Sequence, residues 1–226
     1  MRSRGKGRLN AAPVRVQVGR MTASFTHRLA TADDLPALRR VMDRAITELQ
    51  KGFLDPDQIA ASRAVMGLDT QLVADSTYFI VVAPGAEGSG GLDDVDGGAR
   101  IAGCGGWSRR ATLYGGDHST DLRDPALLDP ATDAARIRAM YTDPDFARRG
   151  VGRLVMDLCE GAARAAGFAR AELMATLAGE PLYRACGYTP IERVAATGPN
   201  GAAVPLIRMG KALCEPGDRR GAGGQP

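Results

Sequence analysis

At 226 residues, 44% of them apolar, the chain has the length of one ordinary domain and enough hydrophobic side chains to bury a full core. Its net charge is only +3, so no extended polyanion is demanded as a partner. There is no apolar leader core and no run of about eighteen apolar residues, which leads us to expect a cytoplasmic protein that binds neither membrane nor nucleic acid.

The positive surplus is concentrated in residues 1–21, where Arg2, Arg4, Lys6, Arg8, Arg15 and Arg20 suggest a disordered basic leader. Met21 offers an alternative start. The four cysteines, Cys104, Cys159, Cys186 and Cys214, form no CxxC pair and have only His27 and His118 to help them. That scatter points to core thiols in a reducing compartment and to no metal site.

In chain order, residues 23–29 read as a strand. Thr31-Ala32-Asp33-Asp34 then opens a helix with acidic residues in its first turn, and Leu35, Leu38, Val41, Met42, Ala45 and Ile46 form its buried stripe. Asp55-Pro56 starts a second helix over 57–66, and 69–75 adds a short turn. Residues 78–83 are a strand of β-branched and aromatic side chains. The Gly- and Asp-rich stretch 84–98 is expected to be a mobile surface loop.

Residues 100–110 resume as a strand in which the glycines flanking Cys104 suggest either close approach of another backbone or a bulge. Trp107 on it either walls an acceptor pocket or packs the core. Residues 113–133 show no sustained period. Within them Asp117 and His118 are either acceptor-binding groups or solvated loop residues.

Residues 135–142 alternate Ile137, Ala139 and Tyr141 on one face with Arg136, Arg138 and Met140 on the other, the period of a half-buried strand. Asp143-Pro144 stops it. From Val151 onward Leu154, Val155, Leu158, Cys159 and Ala162 continue a helical stripe, closed by Gly167 as a C-cap with Phe168 folding back. Between strand and helix lies Ala147-Arg148-Arg149-Gly150-Val151-Gly152. Its glycines allow close approach of a bulky anion, and the unpaired amides of the first helical turn, the helix dipole and the arginines all favour phosphate there. The Walker spacing does not occur, and Gly103-Cys104-Gly105-Gly106 does not complete a dinucleotide fingerprint.

This strand, glycine loop and helix resemble motif A of the GNAT acetyltransferases, whose loop reads Arg or Gln, two residues, Gly, one residue, Gly or Ala. Gly150 and Gly152 are in register. Ala147 stands at the first position, so Arg148 and Arg149 supply the positive charge. Residues 172–188, with Pro181 opening a short helix and Gly187-Tyr188 closing it, resemble motif B. Where many members carry an Asn after the strand, this chain has Thr176. The resemblance covers roughly residues 26–209. The domain is expected at 22–213, followed by a disordered tail at 214–226, with residues 191–195 and 203–209 as a closing antiparallel pair turned by Gly198-Pro199-Asn200-Gly201.

The resemblance implies an α+β fold: a mixed, mostly antiparallel central sheet, splayed at the cofactor strand and flanked by helices, the first of which border the acceptor pocket. It implies acetyl-CoA as cosubstrate, with no metal. Met140, Tyr141 and Thr142 would hold the pantetheine arm, Arg148, Arg149, Gly150, Val151, Gly152 and Arg153 the diphosphate, and Thr176 would stand beside the arm. Tyr183 would be the general acid, and a backbone N–H near Met140 and Tyr141 would face the oxyanion. Glu172 is either the base or an ordinary exposed strand residue. The implied activity is N-acetyl transfer to a small primary amine, in a family where homodimers are frequent. A non-catalytic CoA-sensing module, a longer acyl donor and a protein N-terminus as acceptor are the alternatives.

Overall fold

Each strand and helix begins where the local chemistry allows it. The computed structural model describes residues 25–83, the main chain of 94–95, and residues 99–213; the expected leader and tail, Cys214 and most of 84–98 lie outside the described residues. β1 (Thr26–Leu29) leads through a 3-10 turn (Ala32–Asp34) into α1 (Leu35–Leu49). The turn is held by the Asp34 carboxylate, which accepts from the Thr31 amide at 2.7 Å and from both guanidinium nitrogens of Arg28. α2 (Pro56–Val65) opens on a capping box in which Asp55 accepts from the Gln58 amide and Gln58 from the Asp55 amide, with proline at the first helical position. α3 (Thr70–Ala74) is a single short turn capped by Asp69.

β2 (Tyr78–Ala83), β3 (Asp94–Val95), β4 (Ala99–Ser108), β5 (Ala135–Thr142), β6 (Arg170–Thr176), β7 (Thr189–Thr197) and β8 (Ala203–Ala212) complete the sheet. Its order is β1-β2-β4-β5-β6-β8-β7, with β3 pairing β4 beside that path. Thus 84–98 is not wholly a loop: Asp94 and Val95 pair with Arg100 and Ala99. Every ladder is antiparallel except β5–β6, which the crossover helix α4 (Val151–Ala165) makes parallel. The β7–β8 hairpin turns at 198–201, where the Gly201 amide donates to the Gly198 carbonyl.

Helices cover both faces. On one, Leu38, Val41, Ala45 and Ile46 of α1 pack on Tyr78, Ile80, Ile101, Cys104 and Tyr141. Each fully buried Leu or Ile contributes about 1.5–3 kcal/mol. On the other, Val151, Val155, Met156, Cys159 and Ala163 of α4 lie on Val81, Ala102, Ile137, Leu173 and Ala175. α4 reaches the sheet because β4 is glycine there: a Cβ on Gly103 would stand 2.5 Å from Val151 and one on Gly105 2.7 Å from Val155. The helix ends as expected, with Gly167 at a φ of +91° and the Phe168 amide donating back to the Ala163 carbonyl.

The strict alternation expected along β5 fails. Ile137 and Met140 pack with the α4 cluster, whereas Ala139 and Tyr141 belong to the α1 cluster. The cause is a β-bulge. Cys104 pairs with Tyr141 and Gly106 with Arg138, so Gly105 alone faces both Ala139 and Met140. Ala139 takes a φ of +51°, and one extra residue exchanges the faces of everything after it.

Candidate active site

The parallel ladder between β5 and β6 contains only three pairs, from Ala135 with Ala171 to Ile137 with Leu173. Beyond Ile137 the bulged β5 departs, and a cleft of about 80 Å³ opens between the C-terminal halves of the two strands. Ala139, Met140 and Tyr141 form one wall, Met174 and Thr176 the other, and Tyr183 of α5 (Glu180–Ala185) closes one side. Val65 and Met66, at the end of α2, and Leu113 and Tyr114 bound the opposite side.

The α4 end of this region is made of main chain. Gly150, the N-cap, has a φ of +87° and no side-chain cap, and Arg148 before it is also left-handed at +62°. The amides that open α4 therefore lack intrahelical acceptors. A Cβ on Gly150 would meet nothing within 4 Å, so its solvent side is open. Gly152 sits close to Leu182 of α5 and near the Thr142 hydroxyl, tying the end of β5 to the start of α4. Arg149 lies 5.6 Å over the Phe146 ring, Arg153 donates to the Ala185 carbonyl at 2.6 Å, and Arg148 is exposed without a partner among the described residues. A linear diphosphate fits this combination of orphan donors, open space and unengaged cation.

The opposite end is made of side chains. Arg138 and Asp69, both buried, form an ion pair, and Arg138 also donates to the Gly115 carbonyl at 3.0 Å. Burial pushes the Arg138 pKa down and Asp69 opposes that shift. Arg123 bridges Asp69 at 3.2 Å and Asp117 at 2.8 Å. The Tyr141 hydroxyl, whose pKa burial raises, donates to the Gly67 carbonyl at 3.0 Å.

The sequence candidates therefore separate. Met140, Tyr141, Thr176 and Tyr183 meet at the cleft, while Thr142, Arg148, Arg149, Gly150, Val151, Gly152 and Arg153 gather at the α4 opening. The Thr176 hydroxyl accepts from the Gly179 amide at 3.2 Å, which fixes the turn before α5. Tyr183 is 7% exposed, stacks edge-on against Tyr188, and has its pKa raised by burial, so it keeps its proton. The other four stand elsewhere. Trp107 is packed against Phe168 in the α4-side core. Asp117 accepts from the Thr70 amide and hydroxyl. His118 Nε2 lies 2.9 Å from the Ala64 carbonyl. Glu172 Oε2 accepts from Arg136 at 2.6 Å and Arg208 at 2.7 Å. No described residue lining the cleft carries a carboxylate or an imidazole. The Arg138–Asp69 pair and Tyr114 were not singled out from the sequence. Nothing in local spacing joins residues 69 apart in the chain.

Residues 95–190 match the family model described as an acetyltransferase (GNAT) domain. Over that stretch the chain is similar to a GNAT acetyltransferase domain. The GNAT fold extends well beyond those residues. A GCN5-related N-acetyltransferase from Rhodopseudomonas palustris superposes with a TM-score of 0.55 at 18% identity, covering 86% of this chain and 99% of that one. The PaiA N-acetyltransferase of Thermoplasma acidophilum, solved with coenzyme A, gives 0.52 at 11% identity over 84% and 99%. YncA of Salmonella typhimurium, solved with its cofactor acetyl-CoA, gives 0.50 at 17% identity over 84% and 95%. No curated protein sequence matches the chain. Among the described residues, no group of His, Cys, Asp and Glu is placed to hold a metal ion, and no helix is long and apolar enough to cross a membrane.

Proposed function

We propose that the protein is an acetyl-CoA-dependent N-acetyltransferase that moves acetyl directly to the primary amine of a small molecule. The observation that carries this reading is the cleft opened where the β5–β6 ladder stops after Ile137, with orphan helix amides at one end and a protonated tyrosine on its side. The amides of Val151, Gly152 and Arg153 bind the diphosphate, and Arg148 adds charge at its edge. Main-chain groups of Met140 to Thr142 align the pantetheine arm in place of the missing strand partner. Acetyl-CoA supplies the activated thioester.

Within the cleft, an amide of the Met140 to Tyr141 region faces the thioester oxygen as negative charge develops there, a contribution of about 3 kcal/mol for one well-aimed donor. The amine nitrogen bonds to the acetyl carbon as the carbon–sulfur bond breaks. The Tyr183 hydroxyl gives its proton to the departing sulfur and is reprotonated from solvent. With no carboxylate or imidazole among the described residues that line the cleft, the amine proton leaves to water. For an alkylamine of pKa about 10, kcat/KM therefore rises about tenfold per pH unit through neutrality, because only the free base attacks. Tyr183, its pKa raised, adds no alkaline fall in that range.

Thiol release from acetyl-CoA across a panel of primary amines tests the reading. Turnover with at least one amine is expected, and Tyr183→Phe should lower kcat about 100-fold with little change in KM for acetyl-CoA. Tight CoA binding without turnover on any amine would assign the protein instead to cofactor sensing. Comparison of acetyl with longer acyl donors fixes the acyl preference.

A further inference from the structure

The bulge at Ala139 does more than interrupt a ladder, because it stands two residues beyond Ile137, the last β5 residue paired with β6. A bulge bends its own strand, so this one explains why β5 leaves β6 and why the cleft exists. It is also costly to hold. Ala139 is left-handed at a φ of +51°, a conformation that L-residues other than glycine adopt at a penalty unless their surroundings impose it.

The imposing contact comes from β2. Tyr78, fully buried, donates from its hydroxyl to the Ala139 carbonyl at 2.7 Å, with Cys104 Sγ 3.3 Å from the same oxygen. To reach β5 from β2 the ring must cross β4, and it does so over Gly106, where a Cβ would lie 2.7 Å from Tyr78 Cδ2. The neighbouring Gly105 accommodates the bulge itself, since a Cβ there would stand 2.1 Å from Met140 Sδ. The Gly105-Gly106 pair thus has two separate jobs: one glycine admits the extra residue and the other admits the tyrosine that holds it.

We propose that Tyr78 is a positioning residue for acetyl transfer: its hydroxyl fixes the Ala139 carbonyl toward the α1 face and so turns the Met140 amide, on the same peptide, into the cleft. This rests on the acetyltransferase reading. Tyr78 touches neither substrate nor cofactor, and it acts through the orientation of the bulged peptides. Phenylalanine at this position keeps the packing and removes only the hydroxyl, leaving a buried carbonyl free to rotate.

The test is Tyr78→Phe, read in three ways. The kcat for the best amine should fall about tenfold or more while KM for acetyl-CoA and Kd for CoA stay within about twofold, because the diphosphate end is untouched. The infrared carbonyl stretch of bound acetyl-CoA, carbon-13 labelled in the acetyl group, should move back toward its free value. Ala139→Gly in the Tyr78→Phe background removes the positive-φ penalty and should restore the melting temperature without restoring kcat. Equal kcat and equal carbonyl frequency in wild type and Tyr78→Phe would overturn the proposal. Recovery of kcat together with melting temperature in the double variant would overturn it as well, by making the hydroxyl purely structural. If the wild type turns over no amine, the acetyltransferase reading fails by itself, and the infrared comparison still decides whether Tyr78 sets the bulge.

Discussion

At the α4 end of the cleft the groups offered to solvent belong to the main chain, the amides that open the helix at Gly150. At the opposite end the residues around 66–69 and 113–123 are fastened by side chains, with Arg138, Asp69, Arg123 and Asp117 alternating in sign and Tyr141 bonded to Gly67. The main-chain end depends on a few backbone angles and tolerates loss of almost any single charge. The side-chain end places Arg138 and Asp69 away from water, so each of those two depends on its partner, while Arg123 and Asp117 stand partly in solvent. The two ends should therefore fail differently.

The largest effect expected is at the buried pair. Asp69→Ala leaves the Arg138 guanidinium buried without its carboxylate and should cost about 3–5 kcal/mol in denaturant unfolding. Pairing Asp69→Leu with Arg138→Met should recover most of that loss, since the penalty is an uncompensated charge more than a lost attraction. A double variant as unstable as Asp69→Ala would show that packing, not charge, holds this end.

At the main-chain end the corresponding break is Gly150→Ala. Its Cβ meets nothing within 4 Å, so only the backbone at a φ of +87° resists, and the cost should be about 1 kcal/mol. CoA affinity should fall several-fold in calorimetry while the melting temperature drops little. Gly152→Ala differs: its Cβ would come within 2.8 Å of Leu182 Cδ2, a mobile methyl on the helix that carries Tyr183. Its stability cost should be small too, but kcat should fall more than CoA affinity if Tyr183 is the acid, because Tyr183 is displaced more than the α4 opening.

The same division explains what could be read from the sequence. The strand at Ala135–Thr142, the helix from Val151, the cap at Gly167 and the turn into α5 each depend on residues within one short window, and they lie where periodicity and turn chemistry put them. The bulge was half legible: glycines around Cys104 announced an irregularity, but not that Ala139 across the ladder would absorb it and exchange the faces of Met140 and Tyr141. The side-chain end was not legible. Asp69 meets Arg138 only after the sheet has formed, and Glu172 looked like a free carboxylate until Arg136 from β5 and Arg208 from β8 arrived on either side. Trp107 illustrates the same limit, because what it packs against, Phe168, follows a helix and two turns later in the chain.

Acid should act on the side-chain end first. Asp75, just after α3, accepts from Arg110 at 2.8 Å and 2.9 Å, and that pairing lowers its pKa despite partial burial. A carboxylate with a depressed folded pKa contributes stability that is complete above its unfolded value and is lost as pH falls through the folded one. Below the usual carboxylate pKa of about 3.9, amides of 68–77 and 110–123 should thus exchange faster, while those in α4, where no carboxylate caps the first turn, should change less. Uniform loss of protection would mean that the two ends unfold as one unit.

The smallest effect should come from the arginines of the glycine loop, and it separates two ways in which they act. Arg148 is exposed and unpaired among the described residues, so in the proposed site it would act on a diphosphate by Coulombic attraction through water. Arg149 is drawn toward Phe146, and part of its freedom is already lost there. Arg148→Ala should weaken CoA about two- to fivefold at low salt, an effect that shrinks toward none as ionic strength approaches about 1 M. Arg149→Ala should weaken it less at low salt but should keep more of its effect at high salt, because the stacked guanidinium also shapes the loop. If both losses vanish together with salt, the arginines serve only as diffuse charge, and anion recognition at this end rests on the helix amides alone.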